Sequence, residues 1–251
     1  MINVGIIGCG FVGGALKDWL EHNNPECKLF ISDPAKGYHD DMKDIDIAFL
    51  QIHVRTEDDG TQDLSLMKEL ISALPDVPVF VRTTILPGSS ELLSKETGHH
   101  VHYMPEFLTE RTHIEDFKKQ TMAFTGALEL LTKIFIGKKF TVMTPLEAEL
   151  TKYMHNVFGA YKVTYFNACR EYCEKMGADW RTVHTGVLLS GYINDTHTYV
   201  PGPDGKFGYG GKCFPKDVNA FAKMTQGTPL GVLLAPLHEL NVHFRGEEEI
   251  I

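Results

Sequence analysis

The stretch NVGIIGCGFVG, residues 3–13, runs four apolar or small residues, Val4 to Ile7, into Gly8-x-Gly10-x-x-Gly13, and a helical pattern follows over residues 13–22. A strand that ends in a glycine-rich turn and opens a helix is the first half of a βαβ unit. Each glycine has its own reason. Gly8 permits the tight turn, Gly10 lets the backbone approach a pyrophosphate, and Gly13 lets helix and strand pack closely. The helix N-terminus, with Phe11 and Val12 in its first turn, would aim its amides and positive dipole end at those phosphates.

Asp33 ends the next apolar run (residues 28–33), at about the 20-residue spacing at which an acid meets the ribose hydroxyls. It would accept hydrogen bonds from the ribose and repel a 2′-phosphate, which favours NAD over NADP; Lys36 close by pulls the other way. The glycine spacing alone is weak, since the same residues can serve only as turns. The strand, helix and acid around it make NAD the expected cofactor, with Gly8, Gly10, Phe11, Val12, Gly13 and Asp33 as candidate cofactor-binding residues.

Further apolar runs at 45–52, 79–84, 100–104, 122–125 and 140–143 predict strands, and 64–74, 89–96 and 128–136 predict helices between them. Several strands are continuous Ile/Val/Phe/Leu runs, as parallel strands buried on both faces require. The character changes at Thr144-Pro145-Leu146-Glu147, which combines an N-cap Thr, a Pro at the first helical position and a Glu three after the cap. From there to Met176 the pattern predicts one helix of about 30 residues, stopped by Gly177. Its apolar and aromatic residues wrap around much of its surface, which predicts burial on several sides, partly by another subunit. Shorter helices are predicted near 180–189, 215–226 and 230–244, with a Gly/Pro-rich loop at 198–211. The expected fold is α/β: an N-terminal Rossmann-type doubly wound parallel sheet (residues 1–145), then an all-helical domain on one long central helix (146–251).

Composition bounds the function classes. Of 251 residues, 43% are apolar and 23% charged, and the net charge is -9. That balance excludes a nucleic-acid footprint, which needs clustered Lys and Arg. No apolar stretch approaches the ~20 residues that span a bilayer, and the first residues lack the basic region of a signal peptide. Five irregularly spaced cysteines argue against a disulfide framework, and no His/Cys set has zinc spacing. The expectation is a reduced, cytoplasmic protein without a metal site.

Chemistry concentrates in two places. In GYGGKCFPKD (208–217) a glycine-rich run delivers Cys213, beside Lys212, to the start of a predicted helix, a setting that favours the thiolate. The local pattern reads equally well as an ordinary small buried cysteine. On the long helix, Lys152 and Asn156 lie one turn apart on one face. Such a pair can act as acid or base and as substrate orienter, although most pairs of this kind are solvated surface.

Five segments in order, GCGFVG (8–13), RTTILPGS (82–89), MPEFL (104–108), EAELTKYMHNVFGAYK (147–162) and GYGGKCFPKD (208–217), resemble the UDP-glucose/GDP-mannose dehydrogenases. The resemblance implies NAD-dependent oxidation of a nucleotide-sugar C6 alcohol to the carboxylate, of the UDP-glucose to UDP-glucuronate type. It implies Cys213 as nucleophile, forming a thiohemiacetal and then a thioester. Lys152 would act on the alcohol proton and stabilise the oxyanion, with Asn156 a second donor and Asp217 orienting Lys152 and water. Glu106 would work with water in proton transfer or hydrolysis; outside the resemblance it reads as a strand-end carboxylate making a structural bond. Thr84 would sit near the nicotinamide and the catalytic water. Phe107 and Leu108 would contact substrate through their backbone, and Phe207 and Gly208 would line the sugar site. A homodimer joined along the long helix is the implied assembly, with no nucleic-acid or membrane partner.

The chain also departs from the pattern. Relatives continue into a domain that closes over the substrate nucleotide, whereas this chain ends soon after residues 238–241, so a form lacking that domain is expected. The segment between Asp33 and Asp46 is short, His53-Val54-Arg55 stands where relatives often carry Thr-Pro, and Lys212 replaces a common Ser. Two competing readings follow: a two-electron β-hydroxyacid-type dehydrogenase that uses Lys152 and Asn156 but not Cys213, and a cofactor-binding subunit that needs a partner domain.

Overall fold

The computed structural model describes residues 1–120, 122–124 and 126–246. The chain forms two compact units, one of Met1–Arg55 with Gln62–Lys152, the other of Thr56–Thr61 with the chain from Tyr153 onward.

In the first unit the elements run β1 (Ile2–Ile7), α1 (Phe11–Asn23), β2 (Cys27–Asp33), β3 (Tyr38–His39), β4 (Ile47–Leu50), α2 (Ser65–Ser72), β5 (Val79–Val81), α3 (Ser89–Thr97), β6 (Val101–Tyr103), α4 (His113–Lys119), β7 (Met122–Phe124), α5 (Leu128–Ile134) and β8 (Phe140–Val142). Six strands form one sheet in the order β3-β2-β1-β4-β5-β6. The register pairs Val4 with Leu29 on one side of β1 and with Ile47 on the other, both parallel. All four residues of β4 are buried. Ile47 and Phe49 face the cluster around Leu16, Trp19 and Phe117, while Ala48 and Leu50 face the one around Ile71 and Leu93. A strand covered on both faces can dispense with polar alternation, which is why it reads as a continuous apolar run.

The parallel sheet predicted from sequence has one antiparallel edge. Pro34–Lys36 form a single 3-10 turn, Gly37 takes φ 77°, and β3 returns beside β2 with Asp33 opposite Tyr38. That hairpin occupies the short stretch between Asp33 and Asp46. The last two predicted strands pair with each other, Met122 opposite Phe140, as a separate two-stranded sheet; the end of the first prediction, Thr125, lies outside the described residues. α4 was not predicted, because seven residues are too few for a clear helical period.

The helix α6 (Pro145–Lys175) has 31 residues, roughly 46 Å at ~1.5 Å per residue. Its first turn carries the predicted capping box: Thr144 N–H donates to Glu147 Oε2 at 2.8 Å, and Glu147 N–H donates to Thr144 Oγ1 at 3.3 Å. Gly177 follows in the left-handed region at φ 74°.

From Tyr153 onward α6 belongs to the second unit, with α7 (Trp180–Leu188), α8 (Phe214–Met224), α9 (Pro229–Leu234) and α10 (Leu237–Arg245). Tyr153 stacks on Phe221 of α8 with ring centroids 5.2 Å apart, and Phe166 meets Trp180 and His184 of α7 edge-on. The single helix predicted over 230–244 is two, because Pro236 lacks the N–H that would continue α9 and instead caps α10. Burial of α6 on several sides is only partly met within one chain: Tyr153, Val157, Ala160 and Phe166 are buried, but Met154, Phe158, Tyr165 and Tyr172 are exposed. No helix among the described residues is long and apolar enough to cross a membrane.

Candidate active site

The glycine turn after β1 has the geometry its spacing predicts. Gly8 lies at φ +85°, and an added Cβ would press on the backbone oxygen of Gln51; on Gly13 it would collide with the backbone oxygen of Gly8. Neither position admits a side chain. Gly10 is the opposite case, with nothing within 4 Å of where its Cβ would be. That open face lies at the cap of α1, whose first turn holds no acidic side chain. Open backbone at a helix N-terminus fits a pyrophosphate. Asp33, at the end of β2, accepts the Cys9 N–H through Oδ2 at 2.7 Å, and Lys36 Nζ donates to the Cys9 carbonyl at 2.6 Å. The acid is thereby tied to the turn. Phe11 and Val12 open α1, with the Phe11 ring edge-on to His113. These residues fit the pyrophosphate and ribose of a dinucleotide.

Thr84 is buried in the loop after β5. Gln62 spans this loop, donating to the Thr84 carbonyl at 3.3 Å and accepting the Leu86 N–H at 2.8 Å. Glu149 of α6 holds the far end: its carboxylate accepts Gly88 N–H at 2.6 Å, Ser90 N–H at 2.8 Å and Ser90 Oγ–H at 2.6 Å. Sequence reasoning passed over Glu149. It lies three residues before Lys152 and two after Glu147, and nothing in the local pattern set it apart from that other acid.

Glu106, Phe107 and Leu108 follow β6. Lys152 Nζ donates to Glu106 Oε1 at 2.8 Å and to the Glu106 carbonyl at 2.5 Å, and it stands 5.8 Å from the centroid of the Phe107 ring. Glu106 Oε2 accepts the Leu108 N–H at 2.7 Å, and Phe107 N–H reaches Gln120 Oε1 at 3.3 Å. Burial pushes the Glu106 carboxyl upward. The charge and hydrogen bond of Lys152, the Leu108 amide and the Arg82 guanidinium outweigh it and hold the group below the ordinary range. Arg82, fully buried, is pushed down to about 10 by burial, with the Glu106 charge opposing.

In the second unit, Cys213 caps α8 and is half-buried. Its carbonyl accepts the Asp217 N–H at 3.1 Å, one turn on. Asp217 is fully buried; Oδ2 accepts from Asn156 Nδ2 at 2.7 Å and Oδ1 from Lys216 Nζ at 2.5 Å. The partners Asp217 has here are therefore Asn156 and Lys216. Gly159, the one glycine inside α6, leaves room for the ring of Phe214: an added Cβ would lie 2.7 Å from Phe214 Cζ. Phe207 lies under the guanidinium of Arg170 at 4.5 Å, and Gly208, at φ +66°, donates its N–H to Asn167 Oδ1 at 3.1 Å.

The first unit thus gathers Gly8, Gly10, Gly13 and Asp33 at one turn, and Lys152 with Glu106, Phe107 and Leu108 at another. The second gathers Asn156, Asp217 and Cys213, with Phe207 and Gly208 on the loop before them.

Residues 146–239 match the model of the UDP-glucose/GDP-mannose dehydrogenase family central domain. The chain is 27% identical over 278 residues to the UDP-glucose 6-dehydrogenase of Rickettsia prowazekii, covering 90% of this chain and 63% of that protein. It is 31% identical over 230 residues to the UDP-glucose 6-dehydrogenase of Rhizobium meliloti, covering 79% and 52%. A solved UDP-glucose dehydrogenase from Pyrobaculum islandicum superposes with a TM-score of 0.81 at 22% identity, over 97% of this chain and 68% of that one. The chain spans less than two thirds of the length of these two curated relatives.

Proposed function

Because the chain belongs to the UDP-glucose/GDP-mannose dehydrogenase family, we propose that it oxidises the C6 alcohol of a nucleotide sugar to the carboxylate with NAD. Residues 1–145 would bind the dinucleotide, and residues 146–251 would carry the catalytic Lys and Cys and join two copies as a homodimer. The observation that supports this most is the bond from Asn156 to the buried carboxylate of Asp217, in the first turn of the helix whose N-terminal cap is Cys213.

Gly8, Gly10, Phe11, Val12, Gly13, Asp33 and Thr84 would hold the dinucleotide, two of which are used in turn, each accepting one hydride in one of the two oxidations. Lys152 takes up the alcohol proton and stabilises the alkoxide, and Asn156 donates to the same oxygen. The Glu106 carboxylate, which accepts a hydrogen bond from Lys152 at 2.8 Å, stands beside it to work with water in proton transfer. Loss of the first hydride leaves an aldehyde. The Cys213 thiolate adds to its carbon, forming the S–C bond of a thiohemiacetal whose oxygen takes a proton. Loss of the second hydride and of that proton gives a thioester. Water then attacks the acyl carbon with Glu106 accepting its proton, the C–S bond breaks, and the thiolate returns. Asp217 fixes Asn156 through the whole sequence, Phe107 and Leu108 contact the substrate backbone-first, and Phe207 and Gly208 line the sugar.

NADH formation, followed by absorbance with a panel of nucleotide sugars led by UDP-glucose and with product quantified, tests the reading. About two NADH per sugar, abolished in Cys213→Ser, are expected. Retained turnover in Cys213→Ser would replace this route by a two-electron oxidation needing only Lys152 and Asn156. Dinucleotide binding without turnover on any sugar would point to a subunit that needs a partner domain.

A further inference from the structure

The glycine run that leads to Cys213 is held from outside at Asp204, Phe207, Gly208 and Tyr209. Asn241 of α10 is fully buried and makes a two-way bond with the backbone of a single residue: Oδ1 accepts the Tyr209 N–H at 2.7 Å, and Nδ2 donates to the Tyr209 carbonyl at 2.9 Å. An amide side chain used this way replaces a neighbouring strand. Arg245, one turn further on, donates to the carbonyls of Phe207 and Gly208 at 3.2 and 3.3 Å and to Asp204 Oδ2 at 2.6 Å. Asn167 of α6 supplies the acceptor for Gly208 N–H.

The run has no slack beneath these bonds. Gly208 sits at φ +66°, and an added Cβ would come within 2.5 Å of Asn241 Oδ1. On Gly210 it would strike the Arg245 guanidinium. Tyr209, pinned by Asn241 at its backbone, also donates its hydroxyl to the Leu237 carbonyl at 3.3 Å and lays its ring edge against Phe214, 6.4 Å between centroids. Phe214 is the residue after Cys213. A rigid path therefore runs from Asn241 through Tyr209 and Phe214 to the cap of α8 and its thiol.

We propose that Asn241 is a positioning residue: it sets the backbone of Gly208–Gly211 and, through Tyr209, the orientation of the Cys213 thiol. The assignment rests on the proposed function only for its effect on sugar binding. Its effect on the thiol stands without it.

The test compares the parent chain with Asn241→Ala and Asn241→Asp. The second keeps an acceptor for Tyr209 N–H and loses the donor to the Tyr209 carbonyl. Alkylation of Cys213 by iodoacetamide is followed against pH by mass spectrometry of its own peptide, alongside NAD binding and nucleotide-sugar affinity. Asn241→Ala is expected to shift the rate–pH profile of Cys213, to weaken sugar binding about tenfold and to leave NAD binding unchanged, with Asn241→Asp between it and the parent. If Asn241→Ala does not fold, Asn241→Asp and Asn167→Ala carry the comparison. A folded variant whose Cys213 profile and sugar affinity match the parent overturns the proposal. A parent that binds no sugar sinks the proposed function, while the alkylation profile still decides the role of Asn241.

Discussion

Lys152 donates twice to Glu106, to Oε1 at 2.8 Å and to the backbone oxygen at 2.5 Å, and both side chains are nearly sealed from solvent. The carbonyl bond fixes where the Lys152 side chain ends, and the carboxylate bond supplies its counter-charge. Breaking one half of a buried pair leaves the other charge uncompensated. Glu106→Gln is therefore expected to lower stability by about 3–5 kcal/mol, whereas replacing both residues by apolar ones of similar size would cost far less. Denaturant titration of the two variants checks this. A cost below about 1 kcal/mol for Glu106→Gln would mean that water reaches the pair as it does on a surface.

The same pair sets an acid limit. Because the folded state holds the Glu106 carboxyl below its usual 4.5, the unfolded chain binds the proton more readily in that range. Stability then rises with pH there, so the contribution is complete above about 4.5 and is lost as pH falls through the lower, folded value. Stability of the parent measured from neutral pH downward should show that added decline, and Glu106→Gln should lack it. Parallel curves for the two would remove Glu106 as its source.

Two glycines of one turn should separate fold from binding. Gly13→Ala drives a methyl into the Gly8 carbonyl, at the point where helix and strand touch, so it is expected to destabilise by about 1–3 kcal/mol. Gly10→Ala meets nothing within 4 Å, so the fold should be unaffected, but the methyl fills the face on which a pyrophosphate would lie. Thermal melts and NAD titration of each variant are the measurements. Gly10→Ala with parent affinity for NAD would count against the cofactor site.

The turn at Gly8–Gly13, the capping box at Thr144 and the stop at Gly177 were legible because each needs a particular residue type for a local backbone reason. The hairpin at Tyr38–His39 was not: two residues carry no period, and only the shortness of the stretch after Asp33 hinted at it. Pro236 was on view, yet the apolar pattern on either side outweighed it in the prediction of a single helix. Cys213, Lys152 and Asn156 were singled out by motif and spacing as candidates. Glu149, Asn167 and Asn241 were missed because each acts on backbone far away in sequence, and an Asn or Glu that caps a distant loop looks locally like any other polar residue on a helix.

On α6, Met154, Phe158, Tyr165 and Tyr172 are 52%, 65%, 54% and 62% exposed, at intervals of four, seven and seven residues. Those intervals keep them on one face, next to the buried face that carries Tyr153, Val157 and Ala160. Large side chains in such a row cost little to expose singly and much together. A second copy of the chain would cover them, each contributing about 1.5–3 kcal/mol if fully buried. Light scattering should then give about twice the 28.2 kDa of one chain. Phe158→Glu puts a charge in the middle of the row, where burial without a partner is costly, and is expected to weaken association about a hundredfold or more without loss of helix. A parent that stays at one chain mass at high protein concentration would rule the dimer out, and the row would need another explanation.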